Sequence, residues 1–298
     1  MIYNWLVPKF VPALITFTLS FIVLLIGSVT DLKTREVPDW VNYGLISAGI
    51  GLNLLFSAIY QAPYYIINSV LGLIIFFGIA YIMFYAGQWG GGDSKMIMGL
   101  GAAIGINIGS FSSEFLFGFL INALFAGAIY GLLWSFYLAY KNRQKFRKEF
   151  KKVLSQEKSE KIKLIILALT VLSVISFFII KISYIKILIL SFAFMILTTF
   201  YLWAFVRAIE KSSMYKLVEP SKLTEGDWIV KDIYYNKEYI TGPKDLGIEK
   251  KQIRRLIELY SKKKVGKILI KEGIPFVPSF LIAFIITFFL GNPMIWIV

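Results

Sequence analysis

Long apolar runs recur along this chain and limit it to one broad class of fold. They cover about 10–29, 40–60, 64–86, 96–109, 115–140, 164–180, 187–206 and 275–290. A bilayer core is ~30 Å thick, and about 20 apolar residues of helix cross it. A segment in lipid must satisfy its backbone polar groups internally, which a helix does. The runs therefore predict an all-α polytopic membrane protein with about eight transmembrane helices. Composition agrees: 57% of the residues are hydrophobic, against roughly 45–50% in soluble domains. The first run is longer than a signal-peptide core and no small-x-small cleavage site follows it, so it reads as a retained span.

The polar segments between the runs divide the chain. We expect a membrane core of about five spans over 1–140, a basic loop over 141–163, two further spans within 164–206, a small domain over 207–273 and a final span within 274–298. The basic loop holds ten Lys and Arg against three Glu, and reads as a solvated loop near anionic lipid. Within 207–273, the stretch 223–230 reads as a turn into a strand and 265–270 as another strand. Between them, 249–262 carries Ile253, Leu256, Ile257 and Tyr260 at helical spacing. The expectation is a small α+β cytosolic domain inserted before the last helix.

Two missing residue types narrow the chemistry. With no Cys, disulfides, thiolate nucleophiles and Cys-based metal sites are excluded. With no His, a His-dependent triad, an HExxH zinc site and an imidazole base are excluded. Any catalysis must use Asp, Glu, Lys, Ser or Tyr, and we expect no metal and no cofactor.

The net charge of +14 is read as membrane topology rather than nucleic-acid binding, because the cations cluster between spans. If the N-terminus lies outside, the inner segments are 31–39, 87–95, 141–163 and 207–273, which hold nearly all the Lys and Arg. The outer turns then carry only Lys9, Lys181 and Lys186. Positive charge favours the cytosolic side, so this orientation places a plasma-membrane protein with 31–39 and 87–95 both facing the cytosol.

Each of those two segments brings an acid to the end of an apolar run. Asp31 closes the first run. Asp93 follows Gly90-Gly91-Gly92, glycines that free the backbone to turn and allow close approach. An acid beside lipid is costly and tends to be functional. Alone, Asp31 reads as an interfacial anchor and Asp93 as a helix cap. Together on one face they read as an aspartic-protease pair sharing one proton, in which one acid activates water and the other protonates the amide carbonyl. The helix ends suggest Asp93 as the carboxylate and Asp31 as the acid. In the fourth run, Gly101 and Gly105 have GxxxG spacing, read as tight helix packing.

These residues resemble a known family. Gly90-Gly91-Gly92-Asp93 fits the GxGD motif of membrane aspartyl proteases. Asp31-Leu32-Lys33-Thr34-Arg35-Glu36-Val37-Pro38-Asp39 is similar to the first-aspartate segment of prepilin peptidases, and Pro275-Phe276-Val277-Pro278 to the start of their final helix. The stretch 207–273 resembles the C-terminal extension of archaeal members, including preflagellin peptidases. The resemblance implies that Asp31 and Asp93 are the catalytic pair of an aspartic endopeptidase. It would remove short basic class III leader peptides from pilin- or archaellin-like precursors at the cytosolic face. The implied partners are those membrane-bound precursors and the lipid bilayer, with no nucleic acid. Glu36 and Asp39 are local acids that could meet a basic leader. The tetracysteine loop of methylating bacterial relatives is absent.

Two alternatives carry different signatures. A presenilin or signal-peptide-peptidase type protease has a Tyr-Asp pair and Pro-Ala-Leu after GxGD. Here Thr30 precedes Asp31, and Pro12-Ala13-Leu14 lies upstream of both aspartates. A non-proteolytic transporter would carry acids at midmembrane on broken helices.

Overall fold

The computed structural model describes residues 3–107 and 115–293. The expected end of the fourth span at Gly109 and the turn over 110–114 lie outside the described residues. The chain forms ten α-helices and five short strands among the described residues. Two compact units result, one from Met1–Leu132 with Gly273–Val298 and one from Leu133–Glu272.

The first unit holds α1 (Tyr3–Thr34), α2 (Asp39–Ile59), α3 (Tyr64–Tyr85), α4 (Gly91–Ile104), most of α5 (Phe115–Lys141) and α10 (Val277–Leu290). Stretches of α1, α2, α3 and α5 are long and apolar enough to cross a membrane. Helices α4 and α10 have 14 residues each. At 1.5 Å per residue they reach about 21 Å, short of the hydrocarbon thickness.

Helix α4 is short but buried. Ala102 and Ala103 are fully buried, as are Ile97 and Leu100. Glycines of α4 and of its neighbours let the backbones approach closely. A Cβ on Gly101 would fall 2.5 Å from the Gly72 carbonyl oxygen of α3. A Cβ on Gly49 of α2 would fall 2.7 Å from Ala103 Cα. Small residues permit such contact where lipid offers no hydrophobic drive for helices to associate. Asn53 of α2 donates through Nδ2 to the Ala103 carbonyl at 3.0 Å, and Ser69 Oγ of α3 donates to the Ala102 carbonyl at 2.6 Å. Gly105 ends the helix in a left-handed conformation, φ 76°, and Ile106 N–H then bonds the Asn68 carbonyl at 2.9 Å. The paired glycines therefore serve packing and termination.

The second unit contains the end of α5, α6 (Arg143–Leu154), α7 (Glu157–Ile179), α8 (Ser183–Ile209), α9 (Lys250–Ser261) and all the strands. The glycine- and proline-free basic loop is mostly helical: α6 occupies it, and α7 begins well before the apolar run. Phe146, Phe150 and Val153 recur at i, i+4 and i+7, a periodicity that packs one side of a helix. The segment before the last helix is α+β. Strands β1 (Tyr215–Val218), β2 (Trp228–Ile229) and β5 (Ile268–Lys271) form an antiparallel sheet in the order β1-β5-β2. Leu223, Ile229, Ile248, Leu256, Ile268 and Ile270 make its core. On α9 the buried face uses Leu256 and Leu259, whereas Ile257, expected on it, is exposed. Strands β3 (Ile233–Tyr235) and β4 (Glu238–Thr241) form a separate hairpin. Its turn residues Asn236 and Lys237 both have positive φ, as a two-residue hairpin turn of the primed type requires.

The architecture is a multi-pass helical membrane protein with a small α+β segment before its last helix. Six stretches meet the length and composition of a membrane span among the described residues. The two remaining apolar runs of the sequence are the short helices α4 and α10.

Candidate active site

The segment around Asp31 is more ordered than a charged loop. Helix α1 runs past Asp31 to Thr34. Arg35 then adopts a left-handed conformation, φ 63°, and its N–H bonds the Asp31 carbonyl oxygen at 2.9 Å. That closes the helix in the manner usually given to glycine. The Asp31 side chain is buried. Its Oδ2 accepts the backbone N–H of Val277 at 2.9 Å. Val277 is the first residue of α10, so this N–H has no partner within its own helix. One side chain thus ends near the C-terminal turn of α1 and satisfies the N-terminal turn of α10.

Asp93 is the third residue of α4. Its Oδ2 accepts the Gly90 N–H at 2.9 Å, the backward half of a capping box. Only part of the glycine run behaves as a free loop. Gly87 has φ 66° and terminates α3. Gly90 is extended at φ −73°, and Gly91 and Gly92 form the first turn of α4. A Cβ on Gly92 would lie 3.4 Å from Val37 Cβ, whereas one on Gly91 would meet nothing within 4 Å.

The elements bearing the two acids converge. Gly27 lies one turn before Asp31. A Cβ added there would fall 2.6 Å from Met96 Cε of α4, 3.4 Å from Val277 Cγ1 of α10 and 3.7 Å from Val37 Cγ1 of the α1–α2 connector. Met96 itself follows Asp93 by three residues, on the same side of α4. The Asp31 and Asp93 carboxyl groups lie within electrostatic reach of each other. Tyr130 of α5 is within the same reach of Asp31 and Arg35.

Further side chains fix this junction. Lys95 Nζ meets Asp39 Oδ1 at 2.6 Å and lies 5.1 Å from the Tyr43 ring centroid. Asp39, one of two acids considered for a basic partner, is thus tied to α4, while Glu36 is exposed. Trp89, inside the glycine segment, is buried and packs edge-on against Phe280 of α10 at 5.4 Å. Phe280 also packs edge-on against Phe276 at 5.2 Å. A Cβ on Gly127 of α5 would meet the Phe276 ring.

Sequence reasoning did not assign Val277, Trp89, Lys95 or Tyr130. Val277 lies inside the Pro-Phe-x-Pro segment already singled out, and Trp89 and Lys95 flank the glycines. Nothing in the pattern of α5 distinguishes Tyr130. Among the described residues, no group of three or more His, Cys, Asp or Glu lies together in a way that could hold a metal ion.

Residues 18–132 match the type IV leader peptidase family. The matched stretch holds both Asp31 and Asp93 and ends before α10. Three preflagellin peptidases are similar to the chain. That of Methanocaldococcus jannaschii is 43% identical over 91 residues, that of Methanococcus maripaludis 39% over 92, and that of Methanococcus voltae 37% over 91. Each alignment covers 30% of this chain and 38–39% of the relative's own length. No solved structure matches the chain significantly.

Proposed function

We propose that this chain is a membrane-embedded aspartic endopeptidase that removes leader peptides from preflagellin- or pilin-like precursors. The observation that carries the reading is the convergence of α1, α4 and α10 around Gly27, Met96 and Val277, beside two carboxyl groups within electrostatic reach. Similarity to preflagellin peptidases over a stretch of about 91 residues supports the same reading.

In this reading Asp31 and Asp93 share one proton between them. The ionised acid takes a proton from a water molecule, whose oxygen attacks the scissile carbonyl carbon. The protonated acid donates to the carbonyl oxygen. Collapse of the tetrahedral species breaks the C–N bond as a proton passes to the leaving nitrogen. The pair returns with a single proton, and the net change is addition of one water across the amide. By the positive-inside rule, the cation-rich segments support a position for this chemistry on the cytosolic side of the plasma membrane. A precursor with an apolar helix would lie alongside the spans, with its short basic leader and the scissile bond at the membrane boundary.

The test is co-expression with a candidate preflagellin or prepilin, scoring leader removal for the wild type, Asp31→Asn and Asp93→Asn. Loss of processing in both variants, with normal membrane levels, is the expected result. Undiminished processing by either variant would end the proposal.

A further inference from the structure

The segment between α5 and α7 is built to meet a charged surface. Helix α6 spans Arg143–Leu154, joined to α5 through Asn142 and to α7 through Ser155 and Gln156. Both neighbours contain apolar stretches long enough to cross a membrane. Twelve residues of helix measure about 18 Å. Links of one and two residues at its ends leave α6 no means to move far from the boundary where those spans emerge.

Its two sides differ sharply. Phe146 stacks on Phe150 at 5.6 Å and meets Phe205 of α8 edge-on at 5.5 Å. Val153 is buried. Asn142 Nδ2 donates to Ser213 Oγ at 3.0 Å and fixes the start of the helix. The apolar stripe is therefore used within the protein. The rest of the circumference carries Arg143, Lys145, Arg147, Lys148, Lys151 and Lys152, all exposed. None of these six has a carboxylate within ion-pair distance among the described residues. Glu149 is the one acid on the helix. Glu157, in the first turn of α7, is paired with Lys161 at 2.7 Å.

We infer that α6 is a docking surface for anionic lipid headgroups of the leaflet from which α5 and α7 emerge. Six cations held rigidly at the membrane boundary face a negative surface whose attraction extends over about a Debye length. Long Lys and Arg stems reach from the helix toward headgroups while keeping their charges in the polar layer. Because the apolar side is already occupied, recognition rests on charge rather than on insertion into lipid.

The test compares lipid retention by the purified full chain in mixed micelles of phosphatidylglycerol and phosphatidylcholine at fixed ionic strength. Wild type is expected to retain phosphatidylglycerol selectively. The variant Lys145→Gln/Lys148→Gln/Lys151→Gln/Lys152→Gln should lose about tenfold or more of that selectivity. The control Lys237→Gln/Lys244→Gln/Lys251→Gln/Lys264→Gln removes the same charge from the α+β segment and should keep it. Inorganic phosphate replacing chloride at equal ionic strength should leave retention intact. Equal retention of both lipids by wild type, equal loss in the control, or displacement by phosphate would each overturn the inference.

Discussion

The backbone N–H of Val277 donates to Asp31 Oδ2 at 2.9 Å across 246 positions of sequence. The bond joins the acid of α1 to the first turn of α10, and it requires only an acceptor oxygen, not an ionisable group. That separates two roles of one side chain. Asparagine keeps an acceptor at the same place, while alanine removes it and leaves a buried N–H unsatisfied.

Asp31→Asn should therefore unfold at nearly the wild-type temperature, whereas Asp31→Ala should be less stable by about 1–2 kcal/mol, the usual cost of losing a cap. Both should lose processing by at least about a hundredfold if Asp31 handles the proton. Thermal unfolding in detergent, run beside the processing assay, checks both. Equal stability of the two variants would show that the Val277 bond adds nothing to the fold.

Lys95 and Asp39 link the first residue of α2 to the fifth residue of α4, two residues beyond Asp93. The pair is half-exposed, so its worth in stability is small, about 0.2–1 kcal/mol. Its larger effect should fall on processing, because an error of about 1 Å in catalytic geometry can cost a hundredfold in rate. Lys95→Gln and Asp39→Asn should each lower the maximal processing rate more than apparent substrate affinity. Exchange of the two charges in Lys95→Asp/Asp39→Lys should restore part of that rate. Initial rates over a range of precursor concentrations decide it; a charge exchange slower than either single variant would refute the link.

Trp89 ties the glycine segment to α10 through Phe280. Replacing a buried Trp by Ala typically costs about 3–5 kcal/mol, and Trp89→Ala should approach that range. Trp89→Phe retains a ring able to pack edge-on and should lose less than half as much. Denaturant titration of the purified variants measures the difference.

The sequence reading captured the helices best where hydropathy alone defines them. The runs over 40–60, 64–86 and 115–140 correspond to α2, α3 and α5 within a few residues, because a membrane imposes its thickness on the pattern. It captured less where a tertiary partner decides. The run over 141–163 has the charge of a loop, but Phe146 and Phe150 can pack against Phe205, and the segment is helical. Ile257 and Leu259 suit the buried side of α9 about equally by spacing, and only the sheet beneath selects Leu259. At the candidate site, Asp31 and Asp93 could be singled out as acids at the ends of apolar runs. Their nearest backbone and ionic partners could not. Val277 lies far along the chain, and the Asp39–Lys95 pair forms only once α4 packs against α2.

The glycines around Asp93 show the same division. In Gly90-Gly91-Gly92-Asp93, Gly91 stands at the variable position of GxGD. A Cβ on Gly91 meets nothing within 4 Å, and the residue is already in the first turn of α4. Gly91→Ala should then leave stability unchanged or raise it by about 0.4–1 kcal/mol, through a less flexible unfolded chain. Gly101 lies in the same helix but against α3, where a Cβ would fall 2.5 Å from the Gly72 carbonyl oxygen and 2.7 Å from Phe76 Cβ. Neither atom can yield without moving a helix. Gly101→Ala should cost about 1–3 kcal/mol, the usual range for overpacking. Thermal unfolding of the two single variants side by side tests the contrast, and a Gly91→Ala protein less stable than Gly101→Ala would reverse it.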